Sequence, residues 1–138
     1  MFLENNENGI IYMTSDRLPF RHMFTTRYGG VSTGYLATLN LIGGHGDRPE
    51  NIRENFTRVA ALLGKGPDDC CVTKQVHGNV VRTVTKADRH VCLSEDRIDI
   101  SEECTFCSHD KYWSHRYTKG MRGGQAACIV IPERGTDA

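Results

Sequence analysis

His77 is one of six histidines, the residue type best suited to chemistry near neutral pH, and it sits in the run Gln75-Val76-His77-Gly78. An imidazole there can ligate a metal or act as a general base, although a histidine at the rim of a hairpin is more often an ordinary turn residue. Upstream, Arg27 borders Tyr28-Gly29-Gly30-Val31-Ser32-Thr33-Gly34-Tyr35, three glycines in six residues flanked by hydroxyl side chains. Glycines let a backbone approach a ligand closely, consecutive amides can form a concave anion site, and an adjacent arginine can clamp phosphate with two hydrogen bonds. The same composition also builds a plain turn, and neither GxxxxGK[ST] nor GxGxxG is present. A third cluster, Cys104-Thr105-Phe106-Cys107 followed by His109 and His115, has the C-x2-C spacing of a zinc knuckle but no second pair at zinc-finger distance.

The six cysteines, at 70, 71, 92, 104, 107 and 128, are even in number and would suit a disulfide framework in a secreted chain. The N-terminal run MFLENNENG has two acids and no basic stretch ahead of an apolar one, so reduced thiols are expected, with Cys70 and Cys71 as small apolar-like residues opening a strand.

Positioning these groups falls to a short list of elements. Residues 9–13 form a β-favouring run with a turn after it, and residues 22–27 alternate as a second strand that leaves Arg27 at its end. A helix is predicted from Pro49 to about Leu63, with Asp47 as N-cap, Glu50 completing a capping box, Pro49 in the first turn and Gly64-Lys65-Gly66 as the stop. Its apolar stripe is Ile52, Phe56, Val59, Ala60 and Leu63, while Arg53, Glu54 and Arg58 form a solvated face. Residues 72–76 and 80–84 read as a hairpin closed by His77-Gly78-Asn79, so the expected core is Phe56, Val59, Leu63, Val72, Val76 and Val84.

A chain of 138 residues is sized for one domain, 1–138. Its 17 basic and 17 acidic residues cancel, leaving no bulk field to draw in nucleic acid or an anionic membrane. No apolar run approaches the roughly 20 residues that span a bilayer, which places the chain in the cytoplasm.

Thr25-Thr26-Arg27-Tyr28-Gly29-Gly30-Val31-Ser32, Leu39-Asn40-Leu41, Gly46-Asp47 leading into Asn51 and Asn55, and Gln75-Val76-His77-Gly78 follow one another in an order that resembles the N-terminal half of the YfiH family. That family has been labelled multicopper polyphenol oxidase or laccase-domain and is better described as zinc-dependent purine nucleoside enzymes. The resemblance covers residues 20–88 and implies an α/β fold of mixed β-sheets with external helices. It implies phosphorolysis of adenosine or inosine, with adenosine deamination also in the family, so the partners implied are a purine nucleoside and phosphate. The implied cofactor is zinc, with copper not expected. Carried over motif by motif, His77 is catalytic and a metal ligand, and Arg27, Gly29, Gly30, Asn40 and Gln75 contact substrate or phosphate.

The family's cysteine ligand lies in an Ala-Asp-Cys motif and its second histidine in HxGWRG. Neither occurs after about residue 89, where the nearest match is Gln125-Ala126-Ala127-Cys128, with Ala127 in place of the aspartate. Cys128 is therefore the second metal ligand expected, and 89–138 reads as a truncated or divergent segment with poor periodicity. A weak or inactive enzyme follows from that departure. The alternatives are a catalytically inactive remnant of the fold and a small zinc-binding interaction module built on Cys104 and Cys107.

Overall fold

The computed structural model describes residues 1–70 and 103–130. The chain opens with β1 (Phe2–Glu7) and β2 (Ile10–Ser15), an antiparallel hairpin with Glu7 opposite Ile10. Asn8 and Gly9 turn it with φ of 53° and 82°. Two successive positive φ values define a tight hairpin turn whose twist matches the flanking strands, and Asn-Gly is the dipeptide that adopts them at least cost. The β-favouring run at residues 9–13 is β2, and β1 before it is signalled by Asn8-Gly9 rather than by β-favouring residues.

β3 (His22–Thr25) pairs antiparallel with β2, and β4 (Ala127–Ile129) pairs antiparallel with β3, giving a four-stranded sheet in the order β1-β2-β3-β4. β3 ends two residues short of the predicted limit. Thr26 instead donates both its N–H and its hydroxyl to Ile11 O, and the Arg27 N–H goes to Lys111 O. The strand thus gives way to a segment more than eighty residues further on. α1 (Pro49–Leu62) crosses one face of the sheet, where Val59 and Leu63 meet Ile10, Tyr12 and Met23 in a cluster shared with Leu39 and Leu41. The opposite face receives Tyr112, whose ring meets Phe24 edge-on at 5.9 Å between centroids. The α/β class is as expected, and every strand pair described is antiparallel.

The helix boundaries agree with the prediction to one residue, but its cap does not. Arg48 is the N-cap and gives no side-chain cap, while Asp47 is drawn inward by other donors and accepts only the Arg48 N–H from the backbone there, at 2.9 Å. Phe56 is partly buried and packs against the core cluster, and Asn55 rather than an apolar residue is the most deeply buried position of the first two turns. Arg58 and Glu54 pair at 2.8 Å along the exposed face. After Gly64, which takes the left-handed conformation that ends the helix, a 3-10 turn at Pro67–Asp69 leads to Cys70. The predicted hairpin, with Val72, Val76, Val84, Gln75 and His77, lies outside the described residues. A short helix α2 (His115–Thr118) is capped by the Ser114 hydroxyl, which accepts the Tyr117 N–H. Among the described residues no helix is long and apolar enough to cross a membrane.

Two glycines test how tightly the turns meet. A Cβ on Gly30 would lie 2.2 Å from Thr38 O and 2.5 Å from both Asn55 Oδ1 and Leu39 Cα, whereas one on Gly43 would meet nothing within 4 Å. Gly30→Ala is expected to destabilise the fold by roughly 2–4 kcal/mol and Gly43→Ala by less than about 0.5 kcal/mol, read from urea denaturation midpoints.

Candidate functional site

Asn40 and Asn55 are fully buried, and a primary amide out of water must have its donors and acceptor satisfied. Asn55 Oδ1 accepts the Val31 N–H at 2.9 Å, and its Nδ2 donates to Ser32 Oγ at 2.9 Å and to Asn40 O at 2.8 Å. Asn40 Nδ2 donates to Asp47 Oδ2 at 2.8 Å and to Ile42 O at 3.1 Å, while its Oδ1 accepts the Ile42 and Gly124 N–H groups at 3.1 and 3.0 Å. Asp47 closes the network, taking the Ser32 hydroxyl at 2.6 Å on Oδ2 and the Asn51 amide at 3.0 Å on Oδ1. Burial pushes the Asp47 carboxyl up, but the bonds from Ser32, Asn40, Asn51 and the Arg48 amide outweigh it and hold the group below the usual carboxylate range.

Arg27 and the glycine loop belong to the same construction. The guanidinium donates twice to Ala37 O, at 3.3 and 3.0 Å, and once to His109 O, at 3.2 Å, and lies 4.1 Å from the Trp113 ring centroid. Two faces of its donor fork are thereby committed to backbone and one face of its plane to an aromatic ring. The Gly29 and Gly30 amides both donate to Thr38 Oγ1, at 3.0 and 3.2 Å. A phosphate reaching both amides would have to displace that hydroxyl, so the loop is no open anion nest in this conformation. The glycines have a steric reason instead: a Cβ on Gly29 would fall 2.4 Å from Ile10 Cα, against the β1–β2 turn.

Residues 103–130 are knitted into this network, which their irregular sequence concealed. The Leu41 N–H donates to Gly124 O, Thr25 and Ala126 exchange two bonds, and the Trp113 indole N–H donates to Leu39 O at 3.3 Å. Thr38, Asn55, Trp113 and Gly124 are the hub residues not singled out as site residues from sequence. Their one usable signal is the glycine pair Gly123-Gly124, because a Cβ on Gly123 would strike Asn40 and Trp113 and one on Gly124 would strike Ile42.

The expected metal ligands fare differently. Cys128 stands opposite Met23 in the sheet register and packs against the apolar core. Burial, with a smaller contribution from neighbouring Cys70, pushes its thiol up to about 11. Gln75 and His77 lie outside the described residues. Among the described residues no group of three or more His, Cys, Asp or Glu side chains is placed to hold a metal ion. The knuckle reading meets the same obstacle: the His109 ring is stacked on Tyr117, at 3.5 Å between centroids, and its Nδ1 pairs with Phe106 O at 3.2 Å. A shallow hollow lies elsewhere, between Glu7, Tyr12, Arg21, His22 and Leu63, and none of the expected site residues lines it.

The family model described as multi-copper polyphenol oxidoreductase laccase matches residues 21–96 and 89–132. The chain belongs to this family. The second matched stretch runs through the segment that sequence periodicity left unread, in keeping with its place in the polar network. Among characterised relatives, a purine nucleoside phosphorylase of Corynebacterium glutamicum is 39% identical over 69 residues, covering 50% of this chain and 28% of that protein. A purine nucleoside phosphorylase of Deinococcus radiodurans is 44% identical over 70 residues, covering 51% of this chain and 27% of its own length. The crystal structure of YlmD from Geobacillus stearothermophilus superposes with a TM-score of 0.54 at 28% identity, over 64% of this chain and 34% of that one. The chain thus spans about a quarter of the length of the curated relatives it matches. The family is one whose named members include purine nucleoside phosphorylases.

Two substitutions separate scaffold from substrate contact. Because the folded Asp47 carboxyl is held below its unfolded value of about 3.9, its stabilising contribution is complete above that pH and is lost as pH falls through the folded value. Asp47→Asn is therefore expected to lower the urea midpoint at pH 7, with the gap from wild type closing below about pH 4. Arg27→Lys, which cannot reproduce the forked contacts, is expected to cost about 2 kcal/mol of stability. An unchanged melting curve with weakened phosphate binding would instead make Arg27 a ligand contact.

Proposed function

We propose that this chain is a protein of the purine nucleoside phosphorylase type, acting on adenosine or inosine with inorganic phosphate. The observation that carries this reading is the run of relatives named purine nucleoside phosphorylase, 37–44% identical across 61–70 residues. In phosphorolysis a phosphate oxygen bonds to C1′ of the ribose, the C1′–N9 bond breaks, and its electron pair leaves with the purine, which takes up a proton. Products are ribose 1-phosphate and the free base.

Within this reading His77 is the group that exchanges a proton with the reactants, a role that imidazole as a side-chain type suits near neutral pH, and Gln75 is a substrate contact from the same motif. Arg27, Gly29, Gly30 and Asn40 serve by holding the loop and helix entry in shape, because their polar groups are already engaged. No step is routed through zinc, since Cys128 packs against the apolar core and His77 lies outside the described residues.

A second reading, an inactive family core, is favoured by that same commitment of motif residues to internal bonds. Turnover is accordingly expected to be slow, by orders of magnitude where catalytic groups that act as a unit are incomplete. The deciding assay incubates the purified chain with adenosine or inosine and phosphate, and resolves base, ribose 1-phosphate and deaminated nucleoside by chromatography. Phosphate-dependent release of base that His77→Ala abolishes is the expected result. Release that persists in His77→Ala removes that residue from the mechanism, and no release from either protein establishes the inactive core.

A further inference from the structure

Cys104 and Cys107 have no part in the proposed phosphorolysis, and they differ from the other described thiols in nearly every physical respect. Both are exposed, whereas Cys70 and Cys128 are half-buried. They occupy one tight turn, closed by the Ser108 N–H donating to Cys104 O at 2.9 Å and continued by the Lys111 and Tyr112 N–H groups donating to Ser108 O. The turn is pinned to the body of the protein from its C-terminal side. Lys111 Nζ bonds Glu4 at 2.9 Å and Glu103 at 3.2 Å, and the buried Tyr112 donates its hydroxyl to Glu103. Two sulfurs with two residues between them are thus presented to solvent on a turn that is itself held.

The contacts of the pair are unequal. Cys104 Sγ accepts the N–H groups of Cys107 and Phe106 and the thiol of Cys107, and Arg116 lies near it. These donors stabilise a thiolate on Cys104 and hold it below the ordinary thiol range, while donating to that sulfur pushes Cys107 up. Two exposed thiols on one held turn, one of them favoured as thiolate by its neighbours, are the arrangement of an attacking and a resolving cysteine. A closed zinc site would need two more ligands, and none converges here among the described residues.

We infer that Cys104 and Cys107 form a redox-active dithiol that exchanges with low-molecular-weight disulfides, with Cys104 as attacking sulfur and Cys107 as resolving sulfur. The Cys104 thiolate bonds to one sulfur of the small disulfide, whose S–S bond breaks, and the electron pair leaves on the first small thiolate. Cys107 then gives up its proton to solvent or to that thiolate and its sulfur bonds to Cys104 Sγ, expelling the second small thiolate. Two electrons pass from the dithiol to the small disulfide, leaving a Cys104–Cys107 disulfide and two small thiols. The inference is independent of whether the chain cleaves nucleosides.

Glutathione disulfide is a suitable probe, applied to the reduced, chelator-treated full chain, with acid quenching, alkylation and peptide mass spectrometry. Wild-type protein is expected to yield the Cys104–Cys107 disulfide ahead of any other pairing, a readout that needs no variant. Cys107→Ser is expected to accumulate glutathione on Cys104, and Cys104→Ser to acquire it on Cys107 roughly tenfold more slowly. The idea is overturned if both thiols remain alkylatable in excess glutathione disulfide, if the two variants trap glutathione at equal rates, or if Cys70 and Cys128 oxidise first. It is equally overturned if chelator-free protein carries one zinc per chain that shields both thiols from alkylation.

Discussion

The constraint on which the rest of the structure depends is the burial of two asparagines. An amide that loses water without gaining partners costs several kilocalories per mole, so Asn40 and Asn55 tolerate only backbone arrangements that bring donors and acceptors to them at the right distance. Asn55 ties α1 to the glycine loop through Val31 and Ser32, and to the following segment through Asn40 O. Asn40 ties that segment to Gly124 and, through Asp47, to the helix entry. Apolar residues at the same two positions would pack but would not choose among alternative paths for the loop. The network supplies that choice, and the apolar cluster around Val59 and Leu39 supplies cohesion.

Residues that look chemical in sequence can therefore be architectural in space. Arg27 beside paired glycines has the composition of a phosphate clamp, but its donors meet Ala37 O and His109 O and its plane meets Trp113. Composition specifies what a group can bind, and only the fold decides whether a backbone carbonyl reaches it first. Gly29 and Gly30 illustrate the same point, since close approach of backbone to backbone demands glycine as strictly as close approach to a ligand does.

What was legible in sequence followed from local rules. The period of Val59, Ala60 and Leu63 with Pro49 before and Gly64 after was enough to place α1, because helix ends are written in residues adjacent to them. Asp47 was misread as the cap because a carboxylate serves Ser32 and Asn40 as readily as it serves a helix end, and that competition is settled by tertiary distance. β1 was legible and overlooked: polar Asn5, Asn6 and Glu4 mask a half-exposed edge strand, although Asn8-Gly9 announces its hairpin. Residues 103–130 could not be read by periodicity. Most of their backbone bonds run to loops or close turns, and only β4, three residues long, enters the sheet. Candidate-site legibility was poorer still, since Gln75 and His77 come from a motif, while two of the partners that engage Arg27 and Asn40, His109 and Gly124, lie more than eighty residues away.

The chain has one tryptophan, and the fold places it at the seam where the N-terminal and C-terminal stretches meet. Trp113 is almost fully shielded from solvent, lies against a guanidinium and donates its indole proton to Leu39 O. A lone indole in so specific a setting is an intrinsic optical gauge. Its emission comes from a single environment and shifts when that seam opens, so the docking of residues 103–130 onto the N-terminal sheet can be followed in the unlabelled protein, separately from the melting of α1.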